Sequence, residues 1–315
     1  MVLKRLLDLS AEDQKNFLDS FDIIFTDVDG VIWDLWYRPI EGATDAIKAL
    51  RNIGKKIYFV TNNSTAPMEV FLGRLKKFEA VDEEVVRPAN AFIWYLDHIN
   101  FDKSKGVYVV GFQALKDQIA RAGYKVVTEK IGFTHETLEA LQEKLNNVEP
   151  NVGAVVLDFV VNVDYMGLQK CVQYIQRNNA IFLTGSTDPI VPYRGSNLIG
   201  SFHLAKAIEE VTNVVPKVLS KPGKEFHEVL SKYLGSLYPK DPKRILFIGD
   251  SVDTDMPFAE EYGYQKLLTL SGYTKKEHLD NWKWNEELRP DYFIDSLNDL
   301  FTVIKTLELN IKPKM

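Results

Sequence analysis

DIIFTDVDGVIW, residues 22–33, places two acids directly after an apolar run. Asp22–Thr26 reads as a buried strand, because its apolar residues run on without alternation, as in a strand covered on both faces. Asp27 and Asp29 follow, and Gly30 permits a sharp turn. Two carboxylates this close repel unless a cation or a proton intervenes. That tension allows a division of labour, in which one stays ionised while the other holds a proton. The plainer reading is a solvated Asp-Gly turn.

Outward from this stretch, short β-rich runs alternate with helical patterns. Lys56–Val60, Gly106–Val110, Tyr124–Val127, Ala154–Phe159 and Ala180–Leu183 read as strands, followed by Lys217–Leu219, Arg244–Ile248, Lys266–Leu270 and Tyr292–Ile294. Between the first two strands, Ala43, Ala46, Ile47, Leu50 and Ile53 recur at helical spacing, with Gly54 as C-cap. Pro67 suits a first helical turn, and that pattern runs to about Phe78. The alternation predicts an α/β fold with a parallel sheet. The runs are too many for one ordinary doubly wound sheet, so a second domain is expected. The polar, motif-poor middle, residues 106–217, is the candidate.

Composition agrees with a folded, two-domain chain. Its 315 residues include 38 Lys+Arg and 44 Asp+Glu, a net charge of −6. Hydrophobics at 45% and charged residues at 26% exclude wholesale disorder. The mildly acidic balance argues against nucleic-acid or anionic-membrane binding, and anionic substrates would need local cations or a metal. The single cysteine, Cys171, excludes an internal disulfide framework and Cys-based metal clusters, and reads as a core residue. The N-terminus meets charges too early for a secretory leader, and no apolar stretch is long enough to span a membrane. The expectation is a cytoplasmic protein, with the two glycosylation sequons at Asn62 and Asn63 coincidental.

In open α/β sheets, ligands bind beyond the carboxyl ends of the strands. Three further strand ends carry chemistry. After Lys56–Val60, Thr61 and Asn62 offer a hydroxyl and an amide able to donate to phosphate oxygens, or to serve only as a turn or cap. After Lys217–Leu219, Lys221 sits between Ser220 and Pro222 as a fixed point charge, or as a solvated lysine. After Arg244–Ile248, the run GDSVDTD crowds Asp250, Asp253 and Asp255 into six residues, a density that suits a hard cation. The spacing is not that of an EF-hand, and no Walker loop, dinucleotide fingerprint, HExxH or GxSxG is present. His98, His135, His203, His227 and His278 are scattered at no metal-ligand spacing.

Taken together and in this order, DVDG, TNN, KPG and GDSVDTD resemble the four motifs of the haloacid dehalogenase-like hydrolase superfamily. FTDVDGVIW, FVTNNST and ILFIGDSVDTD are similar to its 4-nitrophenylphosphatase, phosphoglycolate phosphatase and pyridoxal phosphatase branch, from about Phe17 to Leu300. The resemblance implies a Rossmann-like catalytic core, residues 1–105 and 218–315, with an α/β C2-type cap, residues 106–217, inserted between the second and third motifs. It implies a Mg²⁺-dependent phosphatase of small phosphorylated metabolites, with 4-nitrophenyl phosphate as an artificial substrate. Asp27 would be the nucleophile that forms an aspartyl-phosphate, and Asp29 the general acid/base. Thr61, Asn62 and Asn63 would bind phosphate, and Lys221 would neutralise the phosphoryl charge. Mg²⁺ would be held by Asp27, Asp250 and the Asp29 backbone carbonyl, with Asp255 in support. A phosphomonoester carries about −1.5 to −2 charge near neutral pH, so attack by a carboxylate in an acidic protein needs such cations.

The sequence also departs from the family pattern. Ser251 stands where relatives carry a basic residue, and Thr65-Ala66-Pro67 follows the second motif where basic residues are commoner. The cap loop Thr184–Gly200 has Val191 near the position of the histidine found in pyridoxal phosphatases, which disfavours that substrate. Tyr193 and Arg194 in this loop either face the substrate or are ordinary loop-surface residues. Alternatives are a pyridoxal phosphate or phosphoprotein phosphatase of the same fold, or a catalytically silent scaffold. Relatives with this cap type often dimerise through it, so a homodimer is a further implication.

Overall fold

The structure is a computed structural model that describes residues 3–128, 137–185 and 187–309. His135 lies outside the described residues. Contacts divide the chain into two compact units. One comprises the chain up to Thr61, Met68–Val86 and the chain from Leu234 onward; the other comprises Asn62–Pro67 and Arg87–Tyr233. The second unit thus contains the 106–217 block together with residues 62–67, 87–105 and 218–233. Among the described residues, no helix is long and apolar enough to cross a membrane.

The first unit is built on a seven-stranded sheet. Its spatial order is Lys4–Arg5, Tyr292–Ile294, Gln265–Thr269, Ile245–Gly249, Ile23–Thr26, Lys56–Val60 and Val85–Val86, and every pairing is parallel. The central strands Ile23–Thr26 and Ile245–Gly249 are buried throughout, which is why their sequences run apolar without alternation. Period two still governs which face each residue serves. Leu267 and Ile294 join a core with the helices Ala43–Asn52 and Leu297–Thr306, whereas Leu268 and Phe293 join a separate core with Val252 and Met256. From Ile23–Thr26 the chain winds outward through Lys56–Val60. It returns to Ile245–Gly249 on the other side and winds the opposite way. Strand order therefore reverses between Ile23–Thr26 and Ile245–Gly249, the place where such sheets bind ligands.

The second unit has its own five-stranded parallel sheet, ordered Lys217–Val218, Ile181–Thr184, Val152–Leu157, Gly106–Val110, Lys125–Val127. Cys171, on the helix Tyr165–Asn178, packs in the core against Tyr108, Val155 and Phe182, as a core residue should. An antiparallel hairpin, Ile190–Tyr193 with Ser196–Ile199, interrupts the expected cap loop. Its two turn residues, Arg194 and Gly195, both have positive φ. The sequence predicts a loop over this stretch; Arg-Gly lacks the Asn-Gly signature of such turns, and Pro192 sits in a strand position that proline seldom takes.

The second sheet also reverses its order, between Gly106–Val110 and Val152–Leu157. Asp158 stands at that point, its N–H donating to Val110 O at 2.9 Å. Ser64 and Arg87 act on its carboxyl. Arg87, 0% exposed, donates to Ala66 O at 2.8 Å and to Gln118 Oε1 at 2.9 Å, and Ser64 Oγ accepts from Ala89 N at 3.0 Å. Burial pushes the Asp158 carboxyl up to about 7; Phe159 N–H, Arg87 and Ser64 pull it back, and Asp188 adds to the rise. The folded chain therefore keeps a proton that the unfolded chain loses near pH 4. Asp158 makes stability fall as pH rises from about 4 to 7, with no further change above that. Measured by urea unfolding, the stability of the wild type relative to Asp158→Asn should drop by about 2.5 kcal/mol between pH 5 and 8. A difference independent of pH would show that Asp158 is ionised throughout.

Candidate active site

The acids sit where the first sheet reverses. Asp27 directly follows Ile23–Thr26, with its N–H donating to Ile248 O of the neighbouring strand at 2.8 Å. Asp250 directly follows Ile245–Gly249. Parallel pairing of these strands, Thr26 beside Ile248, therefore fixes both carboxylates at one edge. Asp255 opens the helix Asp255–Glu261, and its Oδ2 accepts from Asp250 N and Ser251 N at 3.0 Å each. Asp255 thus shapes the turn that carries Asp250. One oxygen from each of Asp27, Asp250 and Asp255 lies within 4.8 Å of the others. Asp27, Asp250 and Asp255 are 9%, 5% and 0% exposed, so water screens their repulsion poorly. Three hard oxygen donors this close and this buried fit a divalent cation.

Asp253 lies apart from the trio. It is exposed, and its Oδ1 accepts from Trp284 Nε1 at 2.7 Å. The Asp29 side chain is also turned to other partners. Its Oδ1 accepts from Trp33 Nε1 at 2.8 Å and its Oδ2 from Thr61 Oγ1 at 3.5 Å. Two acids only two residues apart are thus held in different surroundings, one among carboxylates and one between an indole N–H and a hydroxyl. Trp33 is 1% exposed, which makes it a rigid support.

A loop without a recognisable motif completes this edge. After the strand Gln265–Thr269, Tyr273 N donates to Asp250 Oδ2 at 2.5 Å, Thr274 N to Asp250 O at 3.0 Å, and Ser271 Oγ to Gly30 O at 2.7 Å. A Cβ on Gly30 or Gly272 would overlap Asp250 Oδ2, and Gly30 also has φ +88°. The only sequence signal for this loop is its place, the end of a parallel strand next to the one that carries Asp250.

The remaining candidates belong to the second unit. Lys221 is 1% exposed, and its peptide bond to Pro222 is cis. Asn62 reaches the lysine's backbone: Oδ1 accepts from Lys221 N at 2.9 Å, and Nδ2 donates to Lys221 O at 3.1 Å. Asn63 Oδ1 accepts from Thr65 N at 3.0 Å and Thr65 Oγ1 at 2.7 Å, a local turn. Tyr193, 43% exposed, and Arg194 lie at the hairpin tip, with the guanidinium 5.2 Å from the Tyr193 ring centroid. The cap loop touches Lys221 through Thr187, which carries no motif signal: its Oγ1 donates to Lys221 O at 2.9 Å.

Comparison with known proteins identifies the family. A family model for haloacid dehalogenase-like hydrolases matches residues 24–125, and a second of the same kind matches 218–300. The chain is 31% identical to a 4-nitrophenylphosphatase of Schizosaccharomyces pombe, over 92% of this chain and 97% of that protein. The chain belongs to the haloacid dehalogenase-like hydrolases. It is 28% identical to chloroplastic phosphoglycolate phosphatase 1A of Arabidopsis thaliana, over 92% of this chain and 79% of that one. Its fold matches that of a glycerol phosphate phosphatase from Mycobacterium tuberculosis solved with magnesium, at a TM-score of 0.70 and 21% identity, covering 94% and 81% of the two chains. As a member of this family with such relatives, the chain is an enzyme of the phosphatase type. The expected α/β fold, a parallel-sheet core with a second α/β block, is the fold it has.

Proposed function

We propose that this hydrolase is a Mg²⁺-dependent phosphatase of small phosphomonoesters, working through an aspartyl-phosphate. The observation that carries the reading is the clustering of Asp27 with Asp250 and Asp255 at the sheet's switch point, while Asp29, two residues on, is held by Trp33 and Thr61. An Asp27 carboxylate oxygen attacks phosphorus; the Asp27 O–P bond forms as the ester P–O bond breaks. Asp29 gives its proton to the departing alkoxide oxygen. In the second half, Asp29 takes a proton from water, whose oxygen attacks phosphorus. The Asp27 O–P bond breaks, releasing phosphate and restoring both carboxyl groups. Asp27, Asp250 and the Asp29 backbone carbonyl would hold Mg²⁺, with Asp255 supporting the Asp250 turn. The metal would supply positive charge that lets an anionic ester approach a carboxylate. Lys221 supplies the other positive charge. Unaided phosphate-monoester hydrolysis is slow enough that enzymes accelerate it by up to about 10²¹-fold, and splitting it into two displacements divides that task.

Substrates of the class named for the relatives fit this reading: 4-nitrophenyl phosphate, phosphoglycolate and glycerol phosphate. The test is phosphate release from these three, pyridoxal phosphate and a phosphopeptide, each with Mg²⁺ and with EDTA. Release from small monoesters, abolished by EDTA, is expected. Turnover confined to the phosphopeptide would overturn the substrate class, and turnover confined to pyridoxal phosphate would narrow it to the alternative that Val191 disfavours. No release from any of the five would overturn the phosphatase assignment.

A further inference from the structure

Lys221 poses an unusual backbone problem. Residues 220 and 221 are 0% and 1% exposed, so their peptide groups need partners inside the protein. The next residue, Pro222, has no N–H, and the helix Lys224–Leu234 starts only beyond Gly223. A lysine here cannot rely on its own local helix or strand to satisfy its N–H and C=O. The Asn62 side chain does it instead. A primary amide carries an acceptor and a donor side by side, and so can engage the N–H and C=O of a single residue as a strand neighbour would. The bonds of 2.9 and 3.1 Å have that pattern. The Lys221 carbonyl also accepts from Thr187 Oγ1 at 2.9 Å and, at the longer distance of 3.5 Å, from Ser220 Oγ.

We propose that Asn62 and Thr187 are positioning residues for the Lys221 ammonium, fixing the backbone from which the side chain projects. The inference rests on the proposed role of Lys221 as the cation facing the phosphoryl group. It gives the second residue of TNN a task different from touching phosphate. It also makes Thr187, at the base of the hairpin, part of the same support. A small displacement of a charged group can cost about 10²-fold in rate, so two hydrogen bonds are enough to matter.

The test is a double-mutant cycle on phosphate release. Asn62→Ala should lower kcat/KM by about 10- to 100-fold, most of it in kcat. In a Lys221→Met background, the same change should cost less than about threefold, because the group that Asn62 positions is gone. Thr187→Val should lower activity by several-fold, whereas Thr187→Ser, which keeps the hydroxyl, should stay within about twofold of the wild type. Additive losses in the cycle would mean that Asn62 acts on substrate directly, and would overturn the proposal. Hydrogen exchange at the Lys221 amide gives a readout independent of turnover. It should quicken in Asn62→Ala while the amides of Ile245–Gly249 stay protected; unchanged exchange would overturn the clamp even if activity fell. A wild type that turns over no phosphomonoester would sink the phosphatase reading instead, leaving exchange alone to decide on the clamp.

Discussion

Asp27→Asn protein should release no measurable phosphate from any monoester, a loss on the order of 10⁴- to 10⁶-fold, while remaining folded. An amide oxygen is a poor nucleophile, and no neighbour can take over: Asp29 is bonded to Trp33 and Thr61, and Asp250 to the Tyr273 N–H. Electrostatics predicts that the variant is not a folding casualty. At an effective dielectric constant near 20, like charges about 5 Å apart repel by about 3 kcal/mol. Removing one charge from the Asp27–Asp250–Asp255 trio should therefore raise the metal-free melting temperature by a few degrees. Phosphate release and thermal unfolding in EDTA, measured on the same preparation, check both halves. Retained turnover would remove Asp27 from the role of nucleophile. Lost turnover together with a lowered melting temperature would point to damage to the fold.

Asp250→Asn should act on metal dependence. Loss of partners that merely orient metal ligands commonly costs 10- to 100-fold in metal affinity, so loss of a carboxylate from the cluster itself should raise the Mg²⁺ needed for half-maximal activity by more than about 100-fold. The asparagine can still accept from Tyr273 N–H, and Gly30 and Gly272 still leave it room, so the loop should keep its shape. Thermal stabilisation by added Mg²⁺ should shrink in parallel, since a ligand stabilises only the state that binds it. An unchanged Mg²⁺ requirement would show that Asp250 does not hold the metal.

The strands that build both sheets are legible in the sequence because buried parallel strands need unbroken apolar runs, and those runs stand out between helical periods. Lys4–Arg5 and Val85–Val86 are not read from the sequence, the first being charged, although Lys217–Val218, equally short, is read within Lys217–Leu219. The trio of Asp27, Asp250 and Asp255 is legible because acids at strand ends are anomalous unless something needs them. The parts that escape are those whose work is done by backbone. Tyr273 serves Asp250 through its N–H, and Lys221 is held by its N–H and C=O. Any residue carries those groups, so no side-chain pattern marks them. Thr187 shows the same limit, since its hydroxyl matters only because a carbonyl 34 residues along the chain comes within 2.9 Å.

Ile23 pairs with Ile245 across more than two hundred residues of intervening chain. For a connection that long, the entropic penalty of bringing its ends together grows only logarithmically, about 0.6 kcal/mol for each doubling. The seven-stranded sheet is therefore nearly indifferent to how much protein hangs between its two central strands. A lineage could lengthen or trim loops of the second unit at little cost to the framework that carries Asp27 and Asp250, provided that Asn62 and Lys221 keep their places in it.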